Sequence, residues 1–148
     1  YTTDAVGLAA QRSVFQQPAD HLILPEIISK EPLGPVVRHG DNQWLDIVKW
    51  THNILLTAEE MNITSVNLDE RAANASDPGA QALLGSSSAK LGPMLGLDQK
   101  WAYNIIKHLG NYGEIFERNI GQETPLKVER GLNALWTNGG LQYAPPVR

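Results

Sequence analysis

Cysteine is absent from the 148 residues, which excludes disulfide bonds, thiolate metal sites and cysteine nucleophiles. The absence leaves the compartment open, because exported proteins occur both with and without disulfides. Long apolar runs are lacking too, and none approaches the roughly 20 residues that a helical bilayer span requires. Residues 1–20 carry neither a basic leader nor an apolar signal core, and this says nothing against export. Basic clusters are also missing. The 12 Lys and Arg are scattered among 16 Asp and Glu, for a net charge of -4, which argues against nucleic acid as a partner. What remains is 42% hydrophobic and 19% charged, the composition of an ordinary globular chain able to bury a core.

The chain reads as helix-rich. Tyr1-Thr2-Thr3-Asp4 suits a strand end, with Asp4 poised to cap a helix over Ala5 to Phe15. His21-Leu22-Ile23-Leu24 reads as a short buried strand ended by Pro25, and Val36-Val37-Arg38 as a brief extended piece. The clearest element comes next. Trp44, Ile47, Val48, Thr51, Ile54, Leu55 and Ala58 recur at helical spacing behind Asp41 or Asn42 as cap.

Further on, Asn67 and Glu70 fit a capping box ahead of a short segment reaching Ala75. Asp77-Pro78 opens another short helix closed by Gly85, and a Ser-rich loop leads to Lys90. Asp98 can cap a helix burying Trp101, Ala102, Ile105, Ile106 and Leu109, with Gly110 at its end. Tyr112 to Arg118 continues as a helix with Ile115 and Phe116 inward. Thr124-Pro125 is expected to open a last helix carrying Val128, Leu132 and Leu135, stopped by Asn138-Gly139-Gly140. The tail with Pro145-Pro146 is expected to lie extended over the surface.

Chemistry is sparse. His21, His39, His52 and His108 lie far apart, so no metal site is expected. Glu59-Glu60 and Asp69-Glu70 are adjacent pairs, and neighbours on a helix do not face each other. Glu114 and Glu117 share a helical face but have no nucleophile beside them in sequence. Neither a nucleophile elbow nor a phosphate loop is present. Asn62-Ile63-Thr64 matches a glycosylation acceptor, a three-residue pattern frequent by chance. Two readings of Asp4 stay open. It is either a plain helix cap or, flanked by Thr2 and Thr3 at a strand end, a fixed carboxylate for a ligand's ammonium.

Several segments together resemble the general L-amino-acid-binding proteins of bacterial ABC importers, which belong to the type II periplasmic binding proteins. The matching stretches are Tyr1 to Asp4 with Gly7-Leu8, Leu24 to Pro35, Gly40-Asp41, and Trp44 to Trp50. Leu97-Asp98 with Trp101, Gly110 to Phe116, Gly131 to Asn133 and Gly139 to Pro146 complete the match. The resemblance spans nearly the whole chain and is specific in combination. It implies a helix-rich α/β fold of two lobes, represented here by a C-terminal portion. Residues 1–17 would end lobe two, 18–32 return through the hinge, and 33–148 form the C-terminal part of lobe one with a helical extension.

The function so implied is reversible capture of L-amino acids in the interlobe cleft and delivery to an inner-membrane permease. It involves no enzyme activity and no cofactor, and it places the protein in the periplasm. Asp4 would take the ligand's α-ammonium, with Thr3 lining the cleft beside it. In the family the aromatic that covers the ligand and the arginine that pairs with its carboxylate come from preceding parts. The alternative is a non-binding scaffold that needs an N-terminal companion segment or chain. An enzyme of the related dehydratase type, using Glu114 or Asp4, is the remote third option.

Overall fold

The computed structural model describes residues 1–74 and 76–147, so the end of the predicted Asn67 to Ala75 segment lies outside the described residues. The order is α1 (Ala5–Ser13), α2 (Asn42–Glu60), α3 (Leu68–Ala73), α4 (Pro78–Leu83), α5 (Leu91–Met94), α6 (Trp101–Leu109) and α7 (Tyr112–Asn119). Single 3-10 turns occur at Pro18–Asp20, Gly131–Asn133 and Trp136–Asn138. Among the described residues there is no β-strand, only an isolated parallel bridge between Leu135 and Gln142. Contacts divide the chain into two compact units. The smaller is Tyr1–Val36 with Phe116–Arg130; the larger is Val37–Ile115 with the chain from Gly131 on.

The larger unit is organised by α2. Asp41, the residue named as cap, accepts from the Trp44 N–H at 3.1 Å and satisfies one otherwise orphan donor. From Asn53 to Ala58 every residue is buried, so this half of the helix packs on more than one side. Ile54 and Ala58 join Ile63, Leu68, Leu83, Trp101 and Ile106 in the main core. Leu56 points into a second cluster with Leu135 and Ala144. The other half is different: Trp44 is 51% exposed, so the expected apolar stripe is not buried along its whole length.

Local signals set most helix ends. Asp77 accepts from the Ala80 N–H and Pro78 opens α4, as its sequence requires. Asp98 Oδ1 accepts from the Lys100 N–H at 2.7 Å just before α6, and Gly110 closes that helix with a φ of +78°. The box assigned to Asn67 and Glu70 forms one turn earlier. The Thr64 hydroxyl accepts from the Asn67 N–H while Asn67 Oδ1 accepts from the Thr64 N–H.

Four expectations fail. Tyr1 to Asp4 and His21 to Leu24 form no strand, and Leu22 and Leu24 are 81% and 66% exposed rather than buried. A strand needs a second chain segment to hydrogen-bond with it, and none is paired with either stretch among the described residues. The helix expected from Thr124 to Leu135 does not form. Lys127 and Gly131 adopt positive φ, Val128 donates to the Ile120 carbonyl, and burial alternates along 124–130 as in extended chain. The tail is not wholly superficial: Ala144 and Val147 are buried, each in one of the two clusters.

Candidate functional site

Asp4 sits at the N-terminus of α1 in extended conformation. Its Oδ1 accepts from the Gly7 N–H at 2.8 Å, and its backbone carbonyl accepts from the Leu8 N–H. The cap reading is therefore correct as far as Oδ1 goes. Thr3 is exposed, and its hydroxyl lies 3.4 Å from Asp4 Oδ2. The structure thus brings Thr3 and Asp4 together on one carboxylate. One oxygen fixes the orientation of the group, while the other faces a neighbouring hydroxyl. Gly7 leaves room here: a Cβ on it would stand 2.9 Å from Asp4 Oδ2 and 3.0 Å from Thr3 Cγ2, and these side chains would have to shift.

Glu114 has a different role from the catalytic one weighed for it. Asn111 and Glu114 form a capping box at the start of α7. Asn111 Oδ1 accepts from the Glu114 N–H at 2.9 Å, and Glu114 Oε2 accepts from the Asn111 N–H at 2.8 Å. The same carboxylate accepts from the Ser65 N–H and, at 2.6 Å, from the Ser65 hydroxyl. Buried Asn111 also donates its amide to the Ile63 carbonyl at 2.9 Å. A group so occupied ties the 62–65 loop to α7. The Asn-x-x-Glu spacing was a readable signal for the box, whereas the tie to Ser65 crosses 49 positions and had none.

On the surface of the larger unit, Asp69 accepts from the Tyr103 hydroxyl and pairs with Lys107 Nζ at 2.6 Å, joining α3 to α6. The Lys107 bond, then the Tyr103 bond, hold the Asp69 carboxyl below its ordinary 3.8, and the bond to Asp69 raises Lys107 above 10.5. The histidines stay apart. His52 meets Tyr112 edge-on and His21 lies against Phe15. Among the described residues no group of three His, Asp or Glu could hold a metal ion, and no helix is long and apolar enough to cross a membrane. A surface depression lined by Glu70, Arg71, Asn74, Ser76, Asp77 and Ala80 includes neither Thr3 nor Asp4.

Set beside known proteins, the chain closely resembles the periplasmic solute-binding proteins of amino-acid ABC transporters, with the type II fold. The general L-amino acid-binding periplasmic protein AapJ of Rhizobium johnstonii is 60% identical over 149 residues, covering 100% of this chain and 43% of that protein. The glutamate/glutamine/aspartate/asparagine-binding protein BztA of Rhodobacter capsulatus is 56% identical, covering 100% of this chain and 44% of its own. A solved ABC transporter periplasmic binding protein from Brucella ovis, with glutathione bound, superposes with a TM-score of 0.94 at 56% identity, over 100% of this chain and 46% of that one. The chain therefore spans less than half the length of the relatives it matches, and it represents a helical portion of their fold. No family model matches it.

Proposed function

We propose that this chain is part of a periplasmic binding protein that captures L-amino acids in an interlobe cleft for an ABC transporter permease, without a chemical step. The identity of 56–60% along the full chain to proteins named for amino-acid binding carries the reading. In it, residues 1–17 end lobe two, 18–32 return through the hinge and 33–148 build the C-terminal part of lobe one with a helical extension. Asp4 takes the ligand's α-ammonium, with Thr3 beside it. The geometry supports this role: the cap at Oδ1 orients the carboxylate in advance, and Oδ2 retains acceptor capacity.

The ligands in the relatives' names share one chemical feature. Glutamate, glutamine, aspartate and asparagine each carry an α-ammonium beside an α-carboxylate, and so does the γ-glutamyl end of glutathione. A carboxylate that reads the ammonium is indifferent to the far end of the side chain, so recognition at the head group accounts for breadth of substrate.

Asp4→Asn is the discriminating variant, because Asn is an equally good N-cap and leaves α1 intact. In the complete protein, calorimetric titration with L-glutamine is expected to show about 10- to 100-fold weaker binding, the loss of one charge-assisted bond. An unchanged Kd would remove Asp4 from the ligand shell. Titration with the deaminated analogue tests the head group directly; binding equal to that of L-glutamine would refute it.

A second reading has its own observation. Leu22, Leu24, Ile27, Ile28, Leu33 and Val36 are all 66–94% exposed. So many open apolar side chains in one stretch mark a surface that something else covers. On this reading the chain is scaffold and needs an N-terminal companion segment or chain before it binds. Thermal melting of this chain with and without millimolar mixed L-amino acids separates the two: a ligand-induced rise supports binding by this portion, and no rise supports the scaffold.

A further inference from the structure

Asn138 is the one asparagine in the sequence with glycine immediately after it, and it stands exposed at the end of a single 3-10 turn. Gly139 adopts a left-handed φ of +81°, with no atom beyond its chain neighbours within 4 Å of where a Cβ would be. Its N–H reaches only the Trp136 carbonyl, at 3.3 Å, which is long for a backbone hydrogen bond. Asn53 and Asn111 are buried, and the Asn67 side chain is held by the Thr64 N–H and the Asn62 carbonyl. Asn42, Asn74, Asn104, Asn119 and Asn133 are exposed like Asn138, but each is followed by a residue that carries a side chain.

We propose that Asn138-Gly139 is a self-modification site, at which the chain converts Asn138 to aspartate and isoaspartate. The backbone nitrogen of Gly139 attacks the side-chain carbonyl carbon of Asn138; a new C–N bond closes a succinimide and the amide leaves as ammonia, taking the displaced proton. Water then adds to either ring carbonyl. Opening on one side gives aspartate, and on the other isoaspartate, whose main chain is longer by one methylene. Glycine favours the step because no side chain covers its nitrogen and its backbone reaches the conformation that closes the ring.

The position gives the change a structural consequence. Just beyond it Gly140 packs so closely that a Cβ would collide with the Ala134 carbonyl. Gly140 donates to the Leu135 carbonyl, Gln142 donates to Ala134, and Trp136 donates to Gln142. This crossing holds Leu135 in its cluster with Leu56 and Ala144. An inserted methylene loosens it.

The test is incubation of the purified chain at mildly alkaline pH, then peptide mapping and enzymatic isoaspartate labelling. Conversion at Asn138 is expected on the order of tenfold faster than at any other asparagine, because only its neighbour lacks a shielding side chain. Asn138→Gln should abolish the isoaspartate signal from that peptide. Conversion no faster there than elsewhere would overturn the site. The isoaspartate form, once separated, should exchange the Trp136 and Gln142 backbone hydrogens faster than the unmodified chain; equal exchange would overturn the loosening.

Discussion

Residues 21–36 and residues 53–63 are both rich in leucine and isoleucine, yet they have opposite fates. In the second stretch Ile54, Leu56 and Ile63 are at most 2% exposed, while in the first Leu22, Ile28 and Leu33 are about four-fifths exposed. Apolar content does not separate them, but Pro25, Pro32 and Pro35 bar the first stretch from a helix and the second has no proline. The difference is that α2 satisfies its own backbone groups and then needs only other side chains to bury its surface. An extended stretch must find backbone partners elsewhere before its side chains can be covered, and 21–36 has no ladder among the described residues.

The largest break in that contrast is expected from Ile106→Ala, which empties a fully buried position of the main core. Chemical denaturation should show a loss of about 2–5 kcal/mol, the cost of lost transfer energy plus a cavity. Next comes Glu114→Ala, which strands the N–H groups of Ser65 and Asn111. A loss of about 1–3 kcal/mol is expected by the same measurement. Ser65→Ala should recover part of that loss in the double variant, since the partners are in contact.

Leu22→Asp is expected to change the stability of this chain by less than about 0.5 kcal/mol, as an exposed substitution does. If residues 18–32 are covered in the complete protein, the same substitution should cost about 1.5–3 kcal/mol there. Equal small effects in both would remove the case for a covering segment.

The smallest effect belongs to Asp69. Its carboxyl is held below 3.8 in the folded chain, so its contribution is present above that value and lost as pH falls through the lowered folded value. Lys107 works in the opposite sense: its contribution is present below 10.5 and disappears as pH rises through its raised folded value. Asp69→Asn should therefore flatten the acid limb of a melting-versus-pH profile slightly. Both groups are exposed, which keeps the effect small.

Much of the chain was legible because its signals are short-range. Asp4, Asp41 and Asp77 each cap the helix that begins next to them, through a bond to the N–H three residues on. Gly110 ends α6 for an equally local reason. At the proposed site, what the sequence made legible is the cap: Asp4 Oδ1 takes the Gly7 N–H, and Thr3 is its neighbour in the chain. The missing last helix turns on partners farther along the chain. Val128, Leu132 and Leu135 have helical spacing, but the Val128 N–H goes to the Ile120 carbonyl and Leu135 is claimed by Leu56 and Ala144. The tertiary demand overrode the periodicity.

By itself the sequence determined where several helices begin or end, that no thiol chemistry is present, and which carboxylate caps α1. Only the tertiary structure decided that Glu114 holds Ser65, that Trp44 stays exposed while Ala58 is enclosed, and that Val147 reaches back into the core. The physical reason is range. A cap or a left-handed glycine is settled within four residues, where the chain's own geometry limits the choices. Burial instead depends on which remote segment arrives to exclude water.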